Sequence, residues 1–106
     1  MVQEIQIELP MQAIEAFCKR WAIREFALFG SVLRDDFRPD SDIDVMVTFD
    51  PSARWGLLAI ARMQRELAEI MGRPVDLVER AGVEQARNTS RGQRILQSAR
   101  VVYAAN

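Results

Sequence analysis

The sequence reads as an α/β fold, a β-sheet with helices packed against it. Three features lead to that reading. Two apolar stretches, Phe26–Phe29 and Ile43–Phe49, are each closed by turn residues, Gly30 and Asp50-Pro51-Ser52. A third, Val75–Val78, is announced by Pro74. Stretches with helical spacing alternate with them along the chain.

Taken in order, residues 2–8 predict a short strand with Ile5 and Ile7 on one face. Pro10 suits a first helical turn. Behind it Met11, Ile14, Phe17, Cys18 and Trp21 form an apolar helical stripe. Phe26–Phe29 predicts a buried strand, and Ser31 the N-cap of a short helix reaching about Asp36. Arg38-Pro39-Asp40-Ser41 is loop chemistry. The second strand spans Ile43–Phe49, and a long helix runs from about Trp55 to Met71, stopped by Gly72. After the strand Val75–Val78 come a short helix over 82–87 and a final amphipathic helix over 91–103.

The chain has 106 residues, 49% of them hydrophobic and 27% charged, which suits one domain spanning 1–106. No repeat or linker divides it. The longest apolar run, Trp55 to Ala61, falls far short of the roughly 20 residues of a membrane helix. The N-terminus lacks a signal-peptide layout, and a cytoplasmic location is expected. One cysteine, Cys18, and no histidine exclude an internal disulfide, the usual structural zinc sites and histidine-dependent nucleophilic catalysis. Chemistry must then run on carboxylates, hydroxyls and arginines, with or without a metal.

A net charge of −1 argues against a general nucleic-acid or membrane binder, but it hides segregation. Asp35, Asp36, Asp40, Asp42, Asp44 and Asp50 crowd into residues 35–50. Arg80, Arg87, Arg91, Arg94 and Arg100 dominate the C-terminal quarter. A solvated acidic loop and basic helix would account for this, as would an acidic metal pocket beside a phosphate- or partner-binding face.

Asp42 and Asp44 stand two positions apart at a strand start, so both project from one side. Two carboxylates 4 Å apart repel by about 4 kcal/mol at an effective dielectric near 20. Hydration at an exposed strand start relieves that repulsion; otherwise it calls for a shared proton, an arginine or a hard cation such as Mg²⁺ or Mn²⁺. Asp76 is the sole polar residue in Val75–Val78. Unless it faces water at the strand edge, it needs a partner or a metal. Gly30-Ser31 ends one strand where a helix is expected to begin, which is either an ordinary capped turn or a phosphate cradle.

The run Gly30-Ser31-Val32-Leu33-Arg34, followed by Ser41-Asp42-Ile43-Asp44 and a later Asp76, resembles the signature of the DNA polymerase β-like nucleotidyltransferase superfamily. The short chain is similar to the minimal nucleotidyltransferases (MNT), antitoxin partners of HEPN toxins. The resemblance implies a small mixed β-sheet with helices packed against it, the polymerase β palm-like fold. It implies that Gly30 and Ser31 hold the β,γ-phosphates of ATP or another nucleoside triphosphate, with Arg34 contacting phosphate or pairing with nearby acids. Asp42 and Asp44 would bind two catalytic Mg²⁺ ions, with Mn²⁺ the alternative. Asp76 would be the third carboxylate, sharing a metal and helping deprotonate the acceptor hydroxyl. Such sequences usually have glycine after this arginine, whereas Asp35 stands here. The expected activity is transfer of AMP to a hydroxyl, a tyrosine of a HEPN toxin, silencing it. The alternatives are an antitoxin that neutralises by binding alone and a small-molecule nucleotidyltransferase, against which the missing acceptor domain counts.

Overall fold

The structure, a computed structural model, describes residues 7–34, 37–38 and 40–105. The expected strand at 2–8 lies mostly outside them; Ile7 sits in a bend. Helix α1 (Met11–Arg20) buries Ile14, Phe17 and Cys18 and carries Lys19 and Arg20 in its last turn, where cations complement the negative end of the helix dipole. Ala22, at φ 55°, turns the chain directly into β1 (Ile23–Phe29), so the strand starts earlier than its apolar run suggests. A 3₁₀ turn (Gly30–Leu33) leads towards β2 (Ile43–Phe49).

Helix α2 (Leu57–Met71) begins past Trp55, whose indole N–H donates to the Trp21 carbonyl at 2.9 Å and so belongs to the preceding loop. It ends where expected: Gly72 adopts φ 73° and its amide donates to the Ala68 carbonyl at 2.9 Å. Then follow β3 (Val75–Glu79), α3 (Arg80–Gln85), α4 (Ser90–Ser98) and β4 (Arg100–Ala104).

The sheet order is β3-β2-β1-β4. β1 runs antiparallel to both β2 and β4, while β2 and β3 are parallel, so the sheet is mixed. The expected final helix is thus half right. Ala99 breaks it with an extended backbone (φ −61°, ψ 135°), and Arg100–Ala104 pairs along β1. Val101, Val102 and Tyr103 are β-branched or aromatic, and their helical spacing was coincidental.

Because strand side chains alternate, the sheet has two faces. One packs Phe26, Leu28, Ile43, Val45, Val47, Val75 and Leu77 against α1 and α2 in the larger core. On the other, Ala27, Phe29 and Met46 meet only Val83 of α3 and Ile95 of α4 as buried residues. Asp44 and Asp76 alternate with residues of the larger core and therefore lie on the thinly covered face.

Candidate active site

The polar cluster forms where β1 ends and β2 and β3 begin. Phe29, last in β1, pairs with Asp44, and Asp44 pairs with Asp76 on the parallel neighbour. Adjacent strands lie about 4.8 Å apart, so these two carboxylates start from neighbouring positions on one face. Asp42 precedes β2 and is exposed; Asp44 and Asp76 are partly buried.

Gly30 closes the cluster on the β1 side. Its φ of +79° is unfavourable for side-chain-bearing residues, and a Cβ there would stand 2.2 Å from Asp44 Oδ2. The Asp44 carboxylate thus rests against the turn, in the space a side chain would take. Ser31 is partly buried in the 3₁₀ turn, but it is not an N-cap: Phe29 holds that place and no side chain caps the turn. The expected helix to Asp36 is therefore a four-residue 3₁₀ turn, with Asp35 and Asp36 outside the described residues. Arg34 ends the turn in extended conformation, its amide donating to the Ser31 carbonyl at 2.9 Å.

Burial holds the Asp44 carboxyl above its usual range, and the charges of Asp76 and then Asp42 push it the same way. Arg91 and Arg34 pull it down. Asp42, Asp44 and Asp76 therefore share one electrostatic field. Among the described residues no group of three or more His, Cys, Asp or Glu side chains is placed to hold a metal ion. The donor set nevertheless suits Mg²⁺, which commonly takes one or two carboxylates and completes its shell with water and substrate phosphate.

Arg91, which the sequence places in a basic stretch suited to phosphates or an acidic partner, is one of the two arginines whose charge acts on Asp44. It lies on α4, distant in sequence from both aspartates, and no local motif marks it. An open pocket of about 410 Å³ adjoins it, walled by Val78, Val83, Ala86, Gly92 and Ile95 between β3, α3 and α4.

The profile of the nucleotidyltransferase domain family matches residues 10–102. The protein adenylyltransferase MntA of Thermococcus cleftensis is 34% identical over 68 residues, covering 62% of this chain and 65% of that relative, just under two thirds of its length. A crystal structure of a toxin–antitoxin with AMP-PNP superposes with a TM-score of 0.70 at 19% identity, over 92% of this chain and 76% of the other. A tri-AMPylated Shewanella oneidensis HEPN toxin in complex with MNT antitoxin gives 0.59 at 20% identity, over 89% and 69%. At such identities these two structures establish the shared fold. No helix among the described residues is long and apolar enough to cross a membrane.

Proposed function

The chain belongs to the nucleotidyltransferase domain family, and from that membership we propose that it transfers AMP from ATP to a protein hydroxyl, a tyrosine of a HEPN-type toxin, and so acts as an antitoxin in the cytoplasm. One observation carries the reading: the Gly30 turn lies against Asp44, and Asp44 pairs in register with Asp76. In this reading a phosphate cradle, a metal-binding carboxylate and an acceptor-side carboxylate would stand in sequence across three adjacent strands. The relative that acts as a protein adenylyltransferase and the neighbour holding an AMPylated HEPN toxin support the same direction.

In this reading the Gly30–Ser31 turn receives the β,γ-phosphates, with Arg34 beside them. Asp42 and Asp44, with Asp76 beside them, are the residues that would hold Mg²⁺. When bound, the metal supplies charge neutralisation for the triphosphate and lowers the acceptor hydroxyl's pKa. Its charge would also relieve the repulsion that raises the Asp44 carboxyl. Asp76 orients the acceptor hydroxyl and accepts its proton. The oxygen forms a bond to the α-phosphorus, the bond to the bridging oxygen of the β-phosphate breaks, and pyrophosphate departs. Positioning and electrostatics suffice for such a transfer, without a covalent nucleophile on the enzyme.

The binding-only antitoxin is the second reading, favoured by the absence of a preassembled three-ligand group among the described residues. The test incubates wild type and Asp76→Asn with the HEPN partner, ATP and Mg²⁺, and weighs the partner by intact mass spectrometry. Transfer predicts AMP additions with wild type alone, at equal complex formation. Equal neutralisation by both proteins with an unchanged partner mass would replace transfer by occlusion.

A further inference from the structure

The first turn of α2 presents apolar side chains that join neither core. Leu57 is 89% exposed and Leu58 83%, and Trp55 just before them is 40% exposed. Single leucines on a surface are ordinary, but two in succession beside a tryptophan make a contiguous patch.

The patch is built on a fixed base. The Trp55 indole donates to the Trp21 carbonyl at 2.9 Å, and the two rings meet edge-on with centroids 5.1 Å apart. The Trp21 indole in turn donates to the Glu66 carboxylate at 2.6 Å, and Arg20 pairs with the same carboxylate. Trp55 also walls an open pocket of about 310 Å³ together with Phe49, Pro51 and Ile60. Asp50 and Glu79 line it too, but Asp50 is already engaged by the Ser52 amide and hydroxyl. A preset tryptophan beside a cleft suits the insertion of one apolar anchor.

Charge decides what covers it. Residues 53–65 contain Arg54, Arg62 and Arg65 and no acidic residue. Arg62 and Arg65 follow Leu58 at i+4 and i+7, so they continue its ridge along the helix, and both are exposed. Arg54 is fixed close by, its guanidinium donating to the Pro51 and Ala53 carbonyls at 2.7 and 3.0 Å. A second copy docked through the same patch about a two-fold axis would bring these arginines face to face. Like charges oppose such a contact, so the rim selects a surface that brings carboxylates. A lipid bilayer offers anionic charge but no side chain to enter the cleft.

Resting on the antitoxin reading above, we infer that Trp55, Leu57 and Leu58 form the docking surface for the HEPN-type partner, which meets them with an apolar anchor flanked by acidic side chains. This surface lies away from the candidate site. α2 packs on the larger core, whereas Asp44 and Asp76 lie on the other face of the sheet. Asp44 is also five residues from Phe49 along β2, about 17 Å of strand. Docking and transfer are therefore separable.

The experiment measures partner binding by surface plasmon resonance at low and physiological salt. It compares wild type, Leu57→Ser/Leu58→Ser, Arg62→Glu/Arg65→Glu and Arg91→Glu/Arg94→Glu. Self-association, binding to phosphatidylglycerol vesicles, and melts with and without Mg²⁺ and an ATP analogue are recorded in parallel. The leucines are exposed, so Leu57→Ser/Leu58→Ser should keep the wild-type melt and its nucleotide-dependent rise. Its partner affinity should fall roughly tenfold or more, as for truncated interface anchors. Arg62→Glu/Arg65→Glu should slow association, with the difference shrinking as salt rises. Unchanged partner affinity in both variants would overturn the proposal. A loss confined to Arg91→Glu/Arg94→Glu would overturn it by moving the contact to α4. Dimers or vesicle binding abolished by Leu57→Ser/Leu58→Ser, with partner affinity untouched, would give the patch to a second copy or to lipid. A wild type that forms no complex at all would instead remove the antitoxin reading on which it rests.

Discussion

The two faces of the sheet divide the work of the molecule. The face under α1 and α2 buries Phe17, Phe26, Leu28, Ile43, Val45, Met63 and Leu67 completely or nearly so, and no charged side chain is buried there among the described residues. Among the described residues the face under α3 and α4 buries five side chains, and at its open end stand Asp44 and Asp76. Apolar contact scales with area removed from water, so the first face supplies most of the cohesion. The second forgoes that cohesion and leaves Asp44 and Asp76 only partly buried. β2 serves both at once: Ile43, Val45 and Val47 point one way, Asp44 and Met46 the other.

The largest effect should fall on the first face. Phe17 is fully buried and stacks edge-on against Phe26 with ring centroids 6.5 Å apart. Phe17→Ala should cost about 3–5 kcal/mol in denaturant unfolding. Val83→Ala on the second face should cost only about 1.5 kcal/mol, the transfer value of the two carbons removed. Similar costs would erase the proposed asymmetry.

Gly30 tests the junction of the two roles. Gly30→Ala places a side chain at positive φ, costing about 1–2 kcal/mol, and drives the Asp44 carboxylate from its place. A parallel loss of nucleotide-dependent stabilisation is expected, measured by thermal melts with and without Mg²⁺ and an ATP analogue. A variant of unchanged stability that retains that gain would show that the turn does not support the carboxylate.

Asp44 carries an effect of opposite sign. Its carboxyl titrates above the ordinary 3.8 in the folded chain, so the unliganded fold is favoured while the group is protonated. That contribution is complete below 3.8 and is lost as pH rises through the raised value. Asp44→Asn should therefore melt higher than wild type at neutral pH without ligand, and the difference should close in acid. A variant less stable at neutral pH would make Asp44 a structural residue. Ser31→Ala completes the series. With no cap to lose, it should change stability by less than about 0.5 kcal/mol, yet weaken triphosphate more than monophosphate binding. An unaltered affinity ratio would remove Ser31 from phosphate binding.

Much of this division is legible in the sequence, for a physical reason. Local signals act over a few residues: alternation sets β2, the Gly72 stop ends α2, and Gly30-Ser31 with Asp42-Ile43-Asp44 marks the candidate site. The errors lie where tertiary contact outweighs local pattern. Residues 100–104 carry an apolar spacing compatible with a helix, but the open edge of β1 offers a ladder of backbone partners, and pairing prevails. Ser31 fits a cap by residue type, but the chain enters a 3₁₀ turn one residue earlier. The sequence places Arg91 in a basic stretch but does not say what it faces, because that depends on how Gly92 packs against Ala86 at the start of α4. Asp35, in place of the usual glycine, lies outside the described residues.

The central claim is that the thinly covered face holds a nucleotide together with a divalent ion. A thermal melt of wild type against Asp42→Asn/Asp44→Asn, with an ATP analogue in the presence and absence of Mg²⁺, tests it most directly, because a ligand that binds only the folded chain raises its melting temperature. The account predicts a Mg²⁺-dependent rise in wild type and none in the double variant, whose unliganded fold remains intact. An equal rise in both proteins would place the nucleotide elsewhere and contradict the account.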